Sequence, residues 1–293
     1  MIPRKTEREN KLAKDSLVQP FLKWAGGKRQ LLSEIEKYVP KKITGTYYEP
    51  FLGGGAVLFH IRPKKAVVND SNSELINTYE VVRDHIDELI EDLKTHKNTS
   101  EYYYNIRNLD RSPDYKKLSK VKRASRLIYL NKTCYNGLFR VNSNNEFNTP
   151  FGNYKDPNIV NEPVLRAVSE YLNSADIKFL CGDFEKAVKG IRKGSFVYFD
   201  PPYMPLSSSS SFTGYTLDGF NEKDQIRLRD LCIKLKERGI EFLLSNSTSP
   251  FILELYKDPQ IFKIEYVYAK RSINSVGENR GKIKEVLIKG NDQ

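Results

Sequence analysis

Cysteine, histidine and tryptophan are scarce in this chain of 293 residues, which contains three, three and one of them respectively. The cysteines Cys134, Cys181 and Cys232 are far apart, so they form neither a disulfide framework nor the paired spacing of a zinc site. The histidines also lack the spacing of metal ligands. We therefore expect a reduced, cytoplasmic protein without a structural metal.

Long hydrophobic runs are also absent. No stretch approaches the length of a membrane-spanning helix, and the charged segment from Met1 to Asp15 has no apolar core, which argues against a secretory signal. The chain also lacks the glycine spacing of a dinucleotide-binding turn and the Gly-Lys-Ser or Gly-Lys-Thr ending of a P-loop. A dinucleotide is therefore disfavoured, and a P-loop is excluded.

The chain does contain ample core material and an excess of positive charge. Hydrophobic residues make up 39% and aromatic residues 12%, with a mean hydropathy of −0.57, as in a globular protein rather than a disordered one. Lysine and arginine number 48 against 37 acidic residues, a formal charge of +11. This excess points to a polyanion as a partner, but lysine-rich surfaces also serve solubility alone, so the motifs must decide.

Two blocks of the sequence follow the alternation of strand and helix that is typical of a doubly wound sheet. In the first, a strand over 47–51 leads into three glycines, a helix opens at Ala56, and a strand from Ala66 ends at Asp70. An apolar period near that of a helix also predicts one helix over Lys28–Val39. The second block predicts the elements Ile177–Leu180, Ser195–Phe199, Glu222–Arg238, Ile240–Leu244, Phe262–Lys270 and Lys284–Lys289.

Between the two blocks the composition changes, with frequent Asn and Tyr, clustered basic residues and a helical apolar pattern. Within it, residues 131–154 are rich in Asn, Gly and aromatic residues and predict a loop or hairpin. We therefore predict an α/β fold with a mostly parallel sheet. Its parts are a charged lead-in (1–18), a sheet domain (19–70 and 172–293) and a mainly helical insertion (71–171).

The most specific motif is Asp200-Pro201-Pro202-Tyr203. It follows an apolar strand and so falls at the carboxyl end of a parallel strand, where open α/β sheets bind ligands. The two prolines remove two backbone donors and leave carbonyl oxygens beside a carboxylate. Such a corner, which only accepts hydrogen bonds, suits an exocyclic amino group whose ring stacks on Tyr203. The alternative is a rigid turn in which Tyr203 serves packing.

Three further features support a ligand at the same edge of the sheet. The turn Gly53–Gly55 allows a ligand to approach closely. Asp70 ends the next strand, where acids accept from ribose hydroxyls, and Asp183 is another strand-end acid that could accept from an adenine amino group. The only tryptophan, Trp24, stands beside two glycines and three basic residues. Read alone, the glycines would form a tight turn, and Trp24 is as readily a core residue.

In this order, these segments resemble the Dam-type DNA adenine-N6 methyltransferases, especially the GATC-modifying enzymes of bacterial restriction systems. The similarity runs from Gln19 to about Lys289 and keeps the family's order of motifs. The matching segments are Phe21–Arg29, Tyr48–Gly55, Val68–Asn77, Asn136–Gly152, Gly182–Phe184, Phe199–Leu206 and Phe212–Tyr215. The resemblance implies a Rossmann-like S-adenosylmethionine-dependent methyltransferase fold with an inserted DNA-recognition domain that contains a hairpin. It also implies methyl transfer to an adenine flipped out of duplex DNA.

The resemblance further implies roles at individual positions. The positions that match cofactor contacts are Trp24, Lys28, Phe51, Gly53, Asp70, Asp183, Phe184 and Asp200. The positions that match the catalytic motif are Asp200, Pro201 and Tyr203. The carboxylate and the Pro201 carbonyl would accept from the two N6 hydrogens, and Tyr203 would stack on the base. Neither a metal nor a covalent enzyme intermediate is expected.

The DNA-reading residues implied by the resemblance are Lys23 and residues of the predicted hairpin, whereas Arg271, Ser272 and Asn274 are expected to hold phosphates because they belong to a basic cluster near the end of the sequence. Arg140 is similar to a guanine-reading arginine, and Lys23 to the reader of the first guanine. Tyr135 would fill the gap left by the extruded base, while Leu138 and Pro150 would contact the thymine methyl or base edges. The full set of expected DNA contacts is Lys23, Tyr135, Asn136, Leu138, Arg140, Asn142, Asn148, Pro150, Arg271, Ser272 and Asn274.

Other basic residues are candidates for phosphate contacts. They are Lys122, Arg123 and Arg126 at near-helical spacing, and Arg280 and Lys282 near the end. For the helical group, an ordinary solvated face is an equal alternative. The partners expected are double-stranded DNA and S-adenosylmethionine, with the chain acting as a monomer on DNA and without metal or membrane.

Three other functions remain open at this point. An N4-cytosine methyltransferase shares the chemistry, although the acid at position 200 and the recognition segment favour adenine. An enzyme that methylates RNA or a protein glutamine usually has Asn in place of that acid. A DNA-binding regulator on an inactive fold would not need the intact set of cofactor residues.

Overall fold

One seven-stranded sheet organises the part of the chain that this computed structural model describes, residues 16–206, 219–270 and 282–291. Its strands are β1 (Tyr47–Glu49), β2 (Lys65–Asp70), β3 (Asp176–Cys181), β4 (Phe196–Phe199), β5 (Glu241–Ser247), β6 (Phe262–Lys270) and β7 (Lys282–Gly290). Across the sheet they lie in the order β3-β2-β1-β4-β5-β7-β6. The predicted strands are thus all present, with ends that differ by a few residues.

The sheet is parallel except at one edge. β1 pairs in parallel with β2 and β4, β2 with β3, and β4 with β5, whereas β7 runs antiparallel to both β5 and β6. This confirms the predicted α/β fold with a mostly parallel sheet. The chain order reverses between β1 and β4, and sheets of this kind bind ligands beyond the carboxyl ends of the strands at such a point. The ends of β1 at Glu49 and of β4 at Phe199 therefore mark the place to look for a site.

Helices cover both faces of the sheet and make up much of the segment between β2 and β3. They are α1 (Leu32–Glu36), α2 (Ala56–Ile61), α3 (Ser73–Asp84), α4 (Ile86–Lys94), α5 (Ser100–Arg107), α6 (Lys120–Thr133), α7 (Glu162–Ser174), α8 (Phe184–Ala187), α9 (Glu222–Glu237) and α10 (Pro250–Leu255). Side chains cap several of them; at the start of α3, for example, Leu75 N donates to Asn72 Oδ1 at 3.0 Å. Among the residues described, none of the helices has the length and apolar character needed to cross a membrane.

The sheet separates two apolar clusters. Side chains alternate between its faces, so in β4 Phe196 and Tyr198 enter one cluster while Val197 and Phe199 enter the other. The first cluster also contains apolar side chains of α3, α4, α6 and α7, and the second contains those of α9 and α10. Burial on both faces explains why β4 reads as a continuous apolar run. Helices of the segment 71–171 share the first cluster with the sheet, and the division of the chain into domains stays a prediction.

The prediction of one helix over Lys28–Val39 is wrong in detail. The chain forms a short 3-10 turn at Lys28–Gln30, passes through Leu31 with φ −104° and ψ 0°, and then begins α1. The turn places the Lys28 side chain inside the protein, where only 5% of the residue's surface is exposed. The apolar period gave no indication that a lysine would be buried at this point.

The three basic residues of α6, which are candidates for phosphate contacts, all form ion pairs within the protein. Lys122, Arg123 and Arg126 form ion pairs with N···O distances of 3.2, 2.8 and 2.8 Å to Asp92, Glu74 and Asp110 respectively. The side chains of Arg126 and Asp110 are only 7% and 11% exposed, whereas that of Lys122 is 63% exposed. Arg126 therefore serves the packing of the helical segment, and phosphate contacts of the other two residues stay a prediction.

Arg126 and Asp110 anchor the segment that was predicted to be a hairpin. The Arg126 guanidinium donates to the carbonyl oxygens of Ile106 at 2.9 Å and Arg107 at 2.6 Å, besides its ion pair. Asp110 Oδ2 in turn accepts a hydrogen bond of 2.7 Å from Phe147 N. The buried pair thus joins the end of α5 to residue 147 of the hairpin.

We expect Asp110→Ala to lower the free energy of unfolding by about 3 kcal/mol, because it leaves the Arg126 charge buried without its partner. Urea denaturation followed by circular dichroism measures this change. Asp114→Ala is the matched control, since Asp114 pairs with Lys117 on the surface, where the side chains are 68% and 81% exposed. Loss of that exposed pair should cost less than about 1 kcal/mol. Equal losses in the two variants would contradict the anchoring role.

Candidate active site

The glycine turn after β1 is fixed by the acid that ends β2. Asp70 Oδ2 accepts from Gly53 N at 2.9 Å, and Asp70 Oδ1 accepts from Asn72 N, also at 2.9 Å. Burial raises the pKa of Asp70, while these backbone donors oppose that effect. Tyr79 adds a hydrogen bond of 3.0 Å from its hydroxyl to the Gly53 carbonyl. The predicted site residue Asp70 therefore shapes the turn around Gly53 as well as standing beside it.

Asn69, which the sequence did not single out, links three strand ends. Its buried amide donates to the Pro50 carbonyl at 2.9 Å and to the Gly182 carbonyl at 3.0 Å. These carbonyls follow β1 and β3, and Asn69 itself belongs to β2. The only sign of this role in the sequence is that Asn69 is a polar residue directly before the acid that ends the strand. These two hydrogen bonds fix the backbone next to the glycine turn.

Trp24 packs against that turn from above. A Cβ atom at Gly53, where φ is +48°, would stand 3.0 Å from Trp24 Cδ1, and one at Gly54 would stand 3.1 Å from Trp24 Cβ. On its other side, the indole stacks on Phe139 of the hairpin with ring centroids 4.9 Å apart. Trp24 is half-buried and joins the turn to the hairpin. Only glycine permits this close approach of the two segments.

The acid of the Asp-Pro-Pro-Tyr motif pairs with a buried lysine. Lys28 Nζ lies 2.9 Å from Asp200 Oδ1 and donates to the Gly26 carbonyl at 2.6 Å. No donor among the described residues other than this ammonium reaches Oδ1, so the oxygen can accept a further hydrogen bond. Burial raises the pKa of Asp200 to about 6, although the charge of Lys28 opposes that rise. The Asp200 carboxylate can thus still accept a hydrogen bond from a ligand.

The prolines and the tyrosine of the motif are also held by neighbours. Gln225 Nε2 donates to the Pro202 carbonyl at 3.0 Å, so that oxygen is already occupied. The Tyr203 hydroxyl donates to Glu285 Oε2 at 2.7 Å, and the Lys28 ammonium lies 4.6 Å from the centroid of the Tyr203 ring. Pro201 is buried beside them. The predicted catalytic residues therefore come together with Lys28 at the end of β4.

Glu49 is a second buried acid at this point of the sheet. Its carboxylate accepts from the Tyr47 hydroxyl at 2.7 Å, and the residue is only 2% exposed. Burial raises the pKa of Glu49 to about 8, and the negative charge of Asp200 contributes to the rise. Glu49 is therefore mostly neutral at pH 7 while Asp200 is mostly ionised. The sequence motif contained Glu49 but gave no reason to expect this difference.

The end of β3 carries an aromatic group. Phe51, Phe184 and Phe220 pack on one another with ring centroids 5.3 to 5.5 Å apart. Next to them, Asp183 Oδ1 accepts from the backbone of α8, and Oδ2 pairs with Arg227 at 2.8 Å. Partial burial disfavours ionisation of Asp183, but the guanidinium outweighs it and lowers the pKa of the carboxyl. The sequence did not predict the involvement of Phe220 or Arg227.

The predicted hairpin is present, and three of its seven expected DNA contacts are exposed. Antiparallel bridges join Val141 to Phe147 and Cys134 to Phe151. Tyr135, Arg140 and Pro150 are exposed, whereas Leu138, Asn136, Asn142 and Asn148 are partly buried. Asn142 is engaged within the turn, where its Nδ2 donates to Glu146 Oε2 at 2.7 Å. The expected contacts Arg271, Ser272, Asn274 and Arg280, and the side chain of Lys282, lie outside the described residues.

Two asparagines organise the hairpin from within. Asn148 Oδ1 accepts from Arg140 Nε at 2.9 Å, which holds the guanidinium and leaves its outer nitrogens to project from the strand. Asn131 binds Lys23 through the backbone, accepting from Lys23 N at 2.8 Å and donating to Lys23 O at 2.6 Å. It also donates to the Gly137 carbonyl at 3.2 Å. Lys23 therefore lies against the start of the hairpin.

The comparisons with known proteins agree with this arrangement. A family model described as D12 class N6 adenine-specific DNA methyltransferase matches residues 24–273. The chain belongs to this family. Membership confirms the resemblance noted from the motifs, the adenine-N6 DNA methyltransferase activity and S-adenosylmethionine as the cofactor.

Similar proteins in this family come from distant organisms. The chain is 49% identical to the type II methyltransferase M1.LlaDCHI of Lactococcus lactis subsp. cremoris, covering 95% of this chain and 98% of the relative. It is 46% identical to the type II methyltransferase M.MjaIII of Methanocaldococcus jannaschii, over 92% and 98% of the two chains. It is 35% identical to the DNA adenine methylase of Escherichia coli K12, over 91% and 93%. These similarities extend over nearly the full length of each pair.

The residues present fit S-adenosylmethionine. The cradle between Trp24 and the glycines is one that side chains would fill, and Asp200 Oδ1 has no partner among the described residues other than Lys28. The carboxylates of Asp70 and Asp183 suit the hydroxyl and amino donors of a nucleoside. When bound, the cofactor supplies the electrophilic methyl group. Within the described residues there is no group of three His, Cys, Asp or Glu side chains arranged to hold a metal ion.

We expect methyl transfer to fall as the pH drops below the pKa of Asp200, which is about 6. In its predicted role, the Asp200 carboxylate accepts a hydrogen bond from the base. Protonation removes this acceptor, so activity is present above this pKa and lost below it. The measurement is the rate with saturating DNA and tritiated cofactor against pH.

The variant Lys28→Met removes the cation that lowers this pKa. The acidic limb of the pH–rate profile, where the rate falls at low pH, should therefore move to higher pH by about one unit. Lys37→Met is the control, because Lys37 pairs with Glu34 on the surface at 2.7 Å and should leave the limb in place. An acidic limb that does not respond to Lys28→Met would argue that another group titrates.

Proposed function

We propose that this protein is a site-specific methyltransferase that methylates N6 of an adenine flipped out of duplex DNA, within the sequence GATC. The observation that carries the proposal is the Asp200 carboxylate at the end of β4, where Oδ1 has no partner among the described residues other than Lys28 and the motif also supplies Tyr203. A carboxylate oxygen can accept more than one hydrogen bond, so a ligand can donate to it as well. An amino group on an aromatic base has the required donor and the flat surface that Tyr203 can stack on.

The chemistry follows from the hydrogen-bonding capacity of the corner. The N6 lone pair of adenine is delocalised into the ring, which makes the nitrogen a poor nucleophile. Asp200 and the Pro201 carbonyl accept from the two N6 hydrogens and localise the lone pair toward the methyl group. The Pro202 carbonyl is occupied by Gln225, so it does not compete for the base. Positioning and electrostatics therefore supply the catalysis.

The cofactor site in this proposal uses the three neighbouring strand ends. Trp24 and Gly53 form its walls, Asp70 accepts from the ribose hydroxyls, and Lys28 orients Asp200. The aromatic group at the end of β3, with Phe51 and Phe184, provides the apolar surface for the adenine ring, and Asp183 lies at its edge. Support comes from the order of the strands, because Asp183, Asp70 and Asp200 and the glycine turn follow the neighbouring parallel strands β3, β2, β4 and β1 at the same edge of the sheet.

Base flipping is favoured by the depth of the corner. Asp200 lies at the end of a strand buried on both faces, so an adenine inside a duplex cannot reach it without leaving the stack. Unstacking costs a few kcal/mol, which stacking on Tyr203 and two hydrogen bonds at N6 offset. In this proposal Tyr135, which is 51% exposed on the hairpin, fills the gap that the base leaves.

Recognition of GATC is assigned to the hairpin and to Lys23. Arg140 is exposed and oriented by Asn148, which suits a contact with guanine O6 and N7. Leu138 and Pro150 contact apolar edges, while Asn136 and Asn142 line the same hairpin. Arg271, Ser272 and Asn274 bind phosphates in this proposal because they belong to a basic cluster near the end of the sequence.

A role in restriction and modification is the physiological part of the proposal. It is supported by the names of two relatives that are nearly half identical to this chain and are called type II methyltransferases. In such a role, the enzyme protects DNA from a nuclease that cuts the same sequence. The protein acts as a monomer on DNA, which sedimentation of the protein–DNA complex would test.

The decisive experiment maps every methylated base in an unmethylated plasmid incubated with S-adenosylmethionine and the protein. We expect N6-methyladenine at GATC sites and no methylcytosine. Asp200→Ala should reduce methyl transfer by at least about a hundredfold, because it removes the main acceptor for N6. Methylation at N4 of cytosine, or of adenine at another sequence, would contradict the corresponding part of the proposal.

Arg140→Ala tests the reading of guanine. We expect discrimination between GATC and a site with that guanine replaced to fall by about 10- to 100-fold, the value of one bidentate base contact. The measurement is kcat/KM on matched oligonucleotide duplexes. Arg166→Ala is the control, because Arg166 of α7 forms surface ion pairs with Glu162 of α7 and Asp87 of α4 and should leave the ratio unchanged. Unaltered discrimination in Arg140→Ala would remove this residue from the recognition set.

A further inference from the structure

Tyr203, the last residue of the Asp-Pro-Pro-Tyr motif, is held by a residue from the far end of the chain. Its hydroxyl donates to Glu285 Oε2 at 2.7 Å, across 82 positions of sequence. Glu285 lies on β7, opposite Ser247 of β5 and Val267 of β6, so its backbone is fixed by strands on both sides. Among the described residues, no cation forms an ion pair with the Glu285 carboxylate. A rigid strand therefore presents a charged acceptor to the tyrosine.

The tyrosine needs such a partner because the prolines fix only the backbone. Pro201 and Pro202 restrict φ at their own positions but leave the side-chain torsions of Tyr203 free. Lys28 constrains one face of the ring from 4.6 Å. The bond to Glu285 constrains the opposite end of the side chain, at the hydroxyl, and a bond to a carboxylate is stronger than one to a neutral acceptor. Together they define the plane of the ring.

We propose that Glu285 is the positioning residue for the target base, acting through the Tyr203 hydroxyl. This inference rests on the proposed function, in which the flipped adenine stacks on Tyr203. Lys28 occupies one face of the ring, so the base stacks on the other, and a fixed plane sets the distance from N6 to Asp200. Glu285 touches neither the base nor the cofactor in this scheme. It stabilises the geometry in which the reacting atoms meet.

The experiment is a double-mutant cycle between Glu285→Ala and Tyr203→Phe, with kcat and KM measured on a GATC duplex. In the otherwise unchanged protein, Glu285→Ala should lower kcat by about tenfold, because the loosened ring misplaces N6. In the Tyr203→Phe background it should cause no further loss, since the bond through which it acts is already gone. The KM for S-adenosylmethionine should stay unchanged in both. Glu285→Gln retains an oxygen acceptor and should restore kcat to within about threefold of the unchanged protein.

A spectroscopic readout separates positioning from a general loss of structure. With 2-aminopurine at the target position, the bound complex should become brighter in Glu285→Ala and in Tyr203→Phe, because looser stacking quenches the flipped base less. Glu265→Gln is the control, as Glu265 pairs with Lys263 at 2.7 Å on the neighbouring strand and should change neither kcat nor fluorescence. Thermal melting of each variant checks that the fold is intact.

Two results would overturn the inference: losses in kcat that add in the double variant, or full activity in Glu285→Ala. Either result leaves methylation of adenine by the unchanged protein in place, so it concerns Glu285 alone. Failure of the proposed function would appear instead as an absence of N6-methyladenine with the unchanged protein. The two failures are therefore distinguishable in one set of assays.

Discussion

The site depends on the ion pair between Lys28 and Asp200. One ammonium joins the 3-10 turn at the start of the fold to the end of β4, and it also faces the Tyr203 ring. Acidic residues surround it. The charge of Asp200 raises the pKa of Glu49, and the charge of Glu285 raises the pKa of Asp200. Without this cation, burial and repulsion would favour the protonated form of Asp200. The charge of a single lysine therefore keeps the corner able to accept hydrogen bonds.

Around this pair, several side chains of the site hold backbone atoms of its loops. Asn69 and Asp70 hold the turns after three strands, and Gln225 holds the Pro202 carbonyl. Each bond removes a conformational choice from a loop that carries a predicted ligand contact. Rigidity of this kind suits a reaction in which two partners must be aligned in line, because small displacements of the reacting atoms are costly.

The sequence predicted the parts of the site that depend on local order along the chain. The apolar strand before Asp200, the glycine turn and the acid that ends β2 each follow from residues next to one another, and the structure places them together. It did not predict pairs brought together by the fold, such as Glu285 with Tyr203 or Arg227 with Asp183. The charge pattern along α6 also predicted a surface position for Arg126, which is instead buried in an ion pair. Whether a charged residue faces water is decided by tertiary packing, which spacing along a helix does not reveal.

The amide of Asn131 has a consequence for engineering. It holds Lys23 through two backbone bonds and the hairpin through the Gly137 carbonyl, so the amino-terminal segment and the hairpin share one support. Trp24 and Phe139 extend that contact by stacking. A chimera that exchanged the hairpin alone between relatives would set new residues against an unaltered indole and lysine. A hairpin exchanged between relatives therefore keeps these contacts only when the amino-terminal segment is exchanged with it.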